Sequence, residues 1–191
     1  MSVNERIGFE RILASHTAPT LLGIKCANLI SVPVCEKEIL RFGKELKHRC
    51  GLDMKTLCRC HGRQLLYIFH EKLLEKQLCN CDIKKFLSEN GYSENMTLPE
   101  MLDHLAVRIK NGDFPHEIGI FLGYPLADVT GFIENHGKNC LLCGCWKVYS
   151  DPESARQKFA KYGRCRDILC DKLDRGFEFY KALELSQEEI S

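Results

Sequence analysis

The chain has 191 residues, 45% of them hydrophobic and 28% charged, with a net charge of +1. That balance belongs to a soluble globular protein and gives no overall field to recruit nucleic acid or an anionic membrane surface. No apolar run approaches the roughly 20 residues that span a bilayer, and the leading MSVNERIGFER is charged where a secretory signal needs an apolar segment. A cytoplasmic protein without a membrane partner is expected, and its twelve cysteines are read as reduced thiols rather than as a disulfide framework.

Taken in chain order, the first helix is expected over about Asn4 to Ser15, with Ile7, Ile12 and Leu13 as its apolar positions. HTAPTLLGIKCANLISVP, bounded by Pro19 and Pro33, reads as short extended segments around a turn at Gly23. Cys35 to His48 has helical periodicity, with Ile39, Leu40, Phe42 and Leu46 on one face. Arg63 to His70 fits a buried strand that Leu57–Cys60 can pair with. Helices follow near Glu71–Gln77 and Asp82–Glu89, the second closed by Gly91. Thr97 with Glu100 spells a capping box for a further helix, with Pro99 tolerated in its first turn.

Residues 113–137, DFPHEIGIFLGYPLADVTGFIENHG, scan as a helix-turn-helix corner over 115–136, turning at Gly123 and restarting at Pro125. Asn139 to Tyr149 reads as a strand. Ser150 or Asp151 then caps a helix whose stripe is Ala155, Phe159, Tyr162, Cys165, Leu169 and Leu173, and a last helix covers about Phe177 to Leu185. Helices outnumber strands without regular alternation. The expected fold is α+β, a single compact domain over 1–191 with helices predominating around a small sheet.

The helical corner raises the question of DNA. Between Asp113 and Gly137 there are four acids, Asp113, Glu117, Asp128 and Glu134, and no Lys or Arg. A DNA reader draws its affinity from phosphate neutralisation by cationic side chains. A regulator working through this corner would need a basic surface lent from residues 1–76, which carry a net charge of +5. A corner that shapes a cavity or contact is the preferred reading.

Three groups of residues can carry chemistry. The first is polar or aromatic: His16, Thr20, Lys25 and Asn28 in the N-terminal block, with His116, Glu117, Tyr124, Trp146 and Lys147 around the corner. Irregular segments that approach a core often frame ligands, and Trp and Tyr join apolar area to a polar handle. The second is a set of candidate metal ligands, Cys58, Cys60 and His61 with Cys140, Cys143 and Cys145, which would hold iron or zinc. They lack paired C-x-x-C knuckles at ribbon spacing. The third is catalytic, with Lys25 or His116 in acid–base work or Cys165 as nucleophile. His116-Glu117 does not continue as a zinc-protease motif, since Ile120 stands where the second histidine belongs.

FPHEIGIFLGYPLADVTGFIENHGKN, GCWKVY, HTAPTLLGIKCANLI and LLYIFHEKL together resemble a bacterial domain-of-unknown-function family known mostly from anaerobes, over about Ser15 to Cys170. The resemblance implies a setting in anaerobic redox or iron metabolism, with a flavodoxin-like redox protein as a candidate partner. It also implies that Cys26, Cys140 and Cys145 depart from the family pattern, which argues against a shared cysteine metal site. The expected function is an accessory protein binding a small ligand or a protein partner. Alternatives are a Cys-ligated metal protein, an enzyme, and a DNA-binding regulator.

Overall fold

The computed structural model describes residues 1–111 and 114–190, so Asp113 of the corner lies outside the described residues. The fold is α+β, and the chain divides into two compact units, residues 1–71 with 160–191 and residues 72–159.

In the first unit, α1 (Val3–Leu21) is followed by β1 (Ala27–Val32), α2 (Glu36–Cys50), β2 (Asp53–Cys60) and β3 (Arg63–Phe69). The strands form one antiparallel sheet in the order β1-β3-β2. β2 and β3 are joined by a tight turn at His61-Gly62, both with positive φ, the twist that suits a two-residue hairpin. Phe9, Leu13, Phe42, Leu46, Leu66, Ile68, Leu169, Phe179 and Leu183 fill the core. The last two elements are α8 (Pro152–Asp174), whose first turns fall in the second unit, and α9 (Phe179–Ile190).

The N-terminal block corrects the sequence reading. The chain stays helical through Pro19 to Leu21, and only Ala27–Val32 is extended. A proline inside a helix costs on the order of 3 kcal/mol through its missing N–H and its ring. Here the last turn is buried from Thr17 to Leu21, so tertiary packing offsets that local penalty. The Pro19 carbonyl accepts from the N–H groups of Ile24 and Lys25 at 2.8 and 3.0 Å, which turns the chain into β1. Ile7 and Leu40, expected in apolar stripes, are exposed, and Phe9 takes the core position instead.

The second unit holds α3 (Glu71–Leu78), α4 (Cys81–Glu89), α5 (Leu98–Lys110), α6 (Ile118–Phe121), α7 (Leu126–Glu134) and the paired β4 (Leu142–Cys143) and β5 (Lys147–Val148). The capping box of α5 is formed, with Thr97 donating from its N–H and its hydroxyl to the Glu100 carboxylate, each at 2.7 Å. Gly91 sits at positive φ after α4. The corner exists, but its first helix is a single turn. Gly123 takes φ +75, the left-handed region, between α6 and α7, a conformation glycine reaches without strain. Asn139 to Tyr149 is not one strand but a short hairpin. The chain reverses around Gly144, whose N–H donates to the Trp146 carbonyl at 3.1 Å.

Candidate functional site

Asp128, in the first turn of α7, is 3% exposed. Its Oδ2 accepts from the Trp146 indole N–H at 2.7 Å. Its Oδ1 accepts from the Tyr149 N–H at 2.8 Å, the Ser150 N–H at 2.9 Å and the Ser150 hydroxyl at 2.8 Å. Burial alone would raise the carboxyl's pKa. The donated bonds from Tyr149, Trp146 and Ser150 outweigh it and hold the group below the usual aspartate value. The sequence reading counted Asp128 among the four acids of the corner. It and Gly131 are buried, Gly131 beneath the Tyr149 side chain, because α7 packs on the β4–β5 hairpin. Asp128 pins that hairpin to the helix.

Pinning the hairpin fixes Trp146. The indole stacks on Tyr124 with ring centroids 4.9 Å apart and meets the edge of Phe159 at 4.5 Å. Beside it lies a cavity of about 240 Å³. Its apolar walls include Phe114, Ile118, Val129, Phe132, Tyr124 and Trp146, and Gly119 opens one side by having no side chain. His116, Cys145, Lys147 and Asp128 complete its lining. Phe132 is flanked by both bases: the His116 ring lies 5.2 Å from its centroid and the Lys147 ammonium 5.9 Å. Lys147 also donates to the Gly137 carbonyl at 2.6 Å.

The nine predicted polar and aromatic residues thus separate. His116, Tyr124, Trp146 and Lys147 line one cavity in the second unit. Glu117 does not line it. It is 2% exposed, accepts from the Arg108 guanidinium and from the Tyr92 hydroxyl at 3.3 Å, and closes an internal ion pair. His16, Thr20, Lys25 and Asn28 belong to the first unit. There the Thr20 hydroxyl donates to Asn28 Oδ1 at 2.7 Å, and the Asn28 amide donates to the His16 carbonyl at 3.2 Å. Those contacts tie the end of α1 to β1. Lys25 is buried, with its ammonium 5.8 Å from the Tyr162 ring centroid.

Sequence reasoning missed Phe114, Ile118, Gly119, Asp128, Val129, Phe132 and Cys145 as lining residues. Val129 and Phe132, three apart on α7, share a helical face, a signal that does not by itself tell a cavity wall from core. Nothing local marks Asp128, whose donors come from 18 to 22 positions further along.

All twelve cysteines are free. Among the described residues no three His, Cys, Asp or Glu side chains gather closely enough to hold a metal ion. Cys58, Cys60 and His61 stand on β2 and its turn, where Cys60 Sγ lies 2.8 Å from His61 Nδ1. Cys140, Cys143 and Cys145 are spread over a hairpin instead of sharing one strand face. Cys165, the candidate nucleophile, is fully buried, and burial pushes its thiol pKa up, which leaves it inert. Cys26 is likewise buried, its pKa pushed up to about 11. No helix among the described residues is long and apolar enough to cross a membrane.

A family model described as a protein of unknown function (DUF3793) matches residues 13–183. No curated protein and no solved structure matches the chain.

Proposed function

The chain belongs to the DUF3793 family, whose description assigns no activity, and from the cavity beside Trp146 we propose that it binds a small, largely apolar, ring-containing molecule. The observation that carries this reading is an aromatic-lined space that stays open beside a tryptophan fixed on three sides: by Asp128 at its N–H, by Tyr124 on its face and by Phe159 at close edge contact. A preformed pocket that needs no reorganisation spends little of its binding energy on ordering. A dry cavity of roughly 150 Å³ already takes a benzene-sized guest, so about 240 Å³ suits one ring with a short substituent or two small fused rings.

Binding as an accessory function fits these residues. Asp128, the carboxylate lining the cavity, is engaged by four internal donors. The free thiols suit a reducing compartment, which we take to be the cytosol. A redox or iron-related setting remains the proposal that the family resemblance suggested.

The chain has a single tryptophan, and it stands in the cavity wall, so selectively excited indole emission reads this site alone. Toluene is expected to give a saturable change in Trp146 emission. In Cys145→Phe, a change at an exposed lining residue, the apparent affinity should fall at least about 10-fold as the ring fills the space, while the urea midpoint stays within about 0.5 kcal/mol of wild type, as for most surface substitutions. An unsaturable response, or equal binding by the variant, would remove the proposal.

A further inference from the structure

Resting on the cavity reading, we infer that the guest carries one negative charge: the site is built for a ring-bearing monocarboxylate whose acid group meets Lys147 at the rim beside His116. Three ionisable side chains line the space, His116, Asp128 and Lys147. Asp128 presents little to a guest, because its two oxygens already accept four hydrogen bonds from Trp146, Tyr149 and Ser150. Those neutral donors stabilise the carboxylate's charge without cancelling it, so the guest's acid group is assigned to Lys147 and not to this wall.

Lys147 is different. An ammonium has three donors, and Lys147 spends one on the Gly137 carbonyl. Its residue is exposed, and its ammonium stands over the Phe132 ring at 5.9 Å, where the stem can follow apolar surface while the head stays at the mouth. His116, also exposed, meets the same ring at 5.2 Å and offers an imidazole N–H. The remaining lining is carbon and aromatic. Chemically this describes an amphipathic guest with its ring among Ile118, Val129, Phe132 and Trp146 and its anion outward. A cationic amine would meet Lys147 as a like charge, and a neutral amide could accept one hydrogen bond from the ammonium but would forgo the ion pair.

The test uses 3-phenylpropionate, its amide and the matching 3-phenylpropylammonium, read by Trp146 emission and by calorimetry on the full chain. The acid should bind about 10- to 100-fold more tightly than the amide, the range expected for a hydrogen bond to a charged group, and the ammonium weakest of all. Lys147→Met keeps an apolar stem over Phe132 and removes the charge. It should abolish the acid's preference over the amide and make acid binding insensitive to added salt. Acid and amide binding equally, or a preference that survives in Lys147→Met, overturns the charge assignment and leaves the cavity reading standing. If neither toluene nor any of the three binds saturably, both fall.

Discussion

Asp128→Ala is expected to lower folding stability by about 3 kcal/mol, the largest single-residue effect outside the main core. The substitution leaves the indole N–H of Trp146 and the backbone N–H of Tyr149 without their acceptor, and each buried orphan donor costs roughly 1–3 kcal/mol. The Ser150 groups, at an exposed residue, can turn to water and add little. Asp128→Asn should cost less, about 1–2 kcal/mol, since its carbonyl still accepts while its amide N–H now faces a donor.

The same carboxylate imposes a pH dependence with a definite sign. Its folded-state pKa lies below the ordinary value, so its stabilisation is fully present above about pH 4, the unfolded aspartate range. It drains away as pH falls through that range toward the lower folded value. Urea midpoints at pH 7 and pH 3 should therefore differ less in Asp128→Asn than in wild type. Equal acid sensitivity in the two proteins, or an Asp128→Ala variant within about 0.5 kcal/mol of wild type, would show that the hairpin is held by something else.

Gly131→Ala sets two general effects against each other. In an open helix interior, alanine is better than glycine by roughly 1 kcal/mol. At Gly131 an added Cβ would stand 2.5 Å from the Tyr149 Cβ and 2.7 Å from its Cγ. The Tyr149 backbone is tethered through its N–H to Asp128, so the clash falls on a group that cannot swing aside. Overpacking of this kind costs about 1–3 kcal/mol, and the net expectation is a loss of about 1–2 kcal/mol with a weakened Trp146 signal for ligand. Gly163→Ala is the matched control: Gly163 lies inside α8 with no atom within 4 Å of the added Cβ. It should leave stability unchanged or raise it by up to about 1 kcal/mol. If the two variants move stability the same way, the close approach of hairpin and helix at Gly131 is not what orders this unit.

Much of the fold was legible because it is written locally. The β2–β3 hairpin shows in the apolar run after Gly62 and in Leu57–Cys60 before it, and α5 shows in Thr97, Pro99 and Glu100. The period of α2, the closing Gly91 of α4, and the cap and stripe of α8 were visible for the same reason. The α1 boundary was not, since Pro19 argues for a break while the burial of Leu13, Ala18 and Leu21 argues for continuation, and only packing decides between them. The limits of the two units were equally hidden: they fall at the start of α3 and inside α8, where no glycine- or proline-rich linker marks them.

At the corner the carboxylates were visible and their meaning was not. Sequence counted Glu117 and Asp128 simply as acids of the corner. In place, one pairs with Arg108 and the other organises Trp146, Tyr149 and Ser150. Of the corner's acids, only Glu134 is exposed among the described residues; the lack of any Lys or Arg from 114 to 137 is what weighs against phosphate contact there.

By itself the sequence determined the α+β class, most element positions, the turn at Gly123 and the family, because propensity, capping and periodicity act over a few neighbouring residues. Which charges are neutralised, and which aromatics enclose a space instead of filling one, was decided only in three dimensions, because both depend on donors and walls brought together from distant segments.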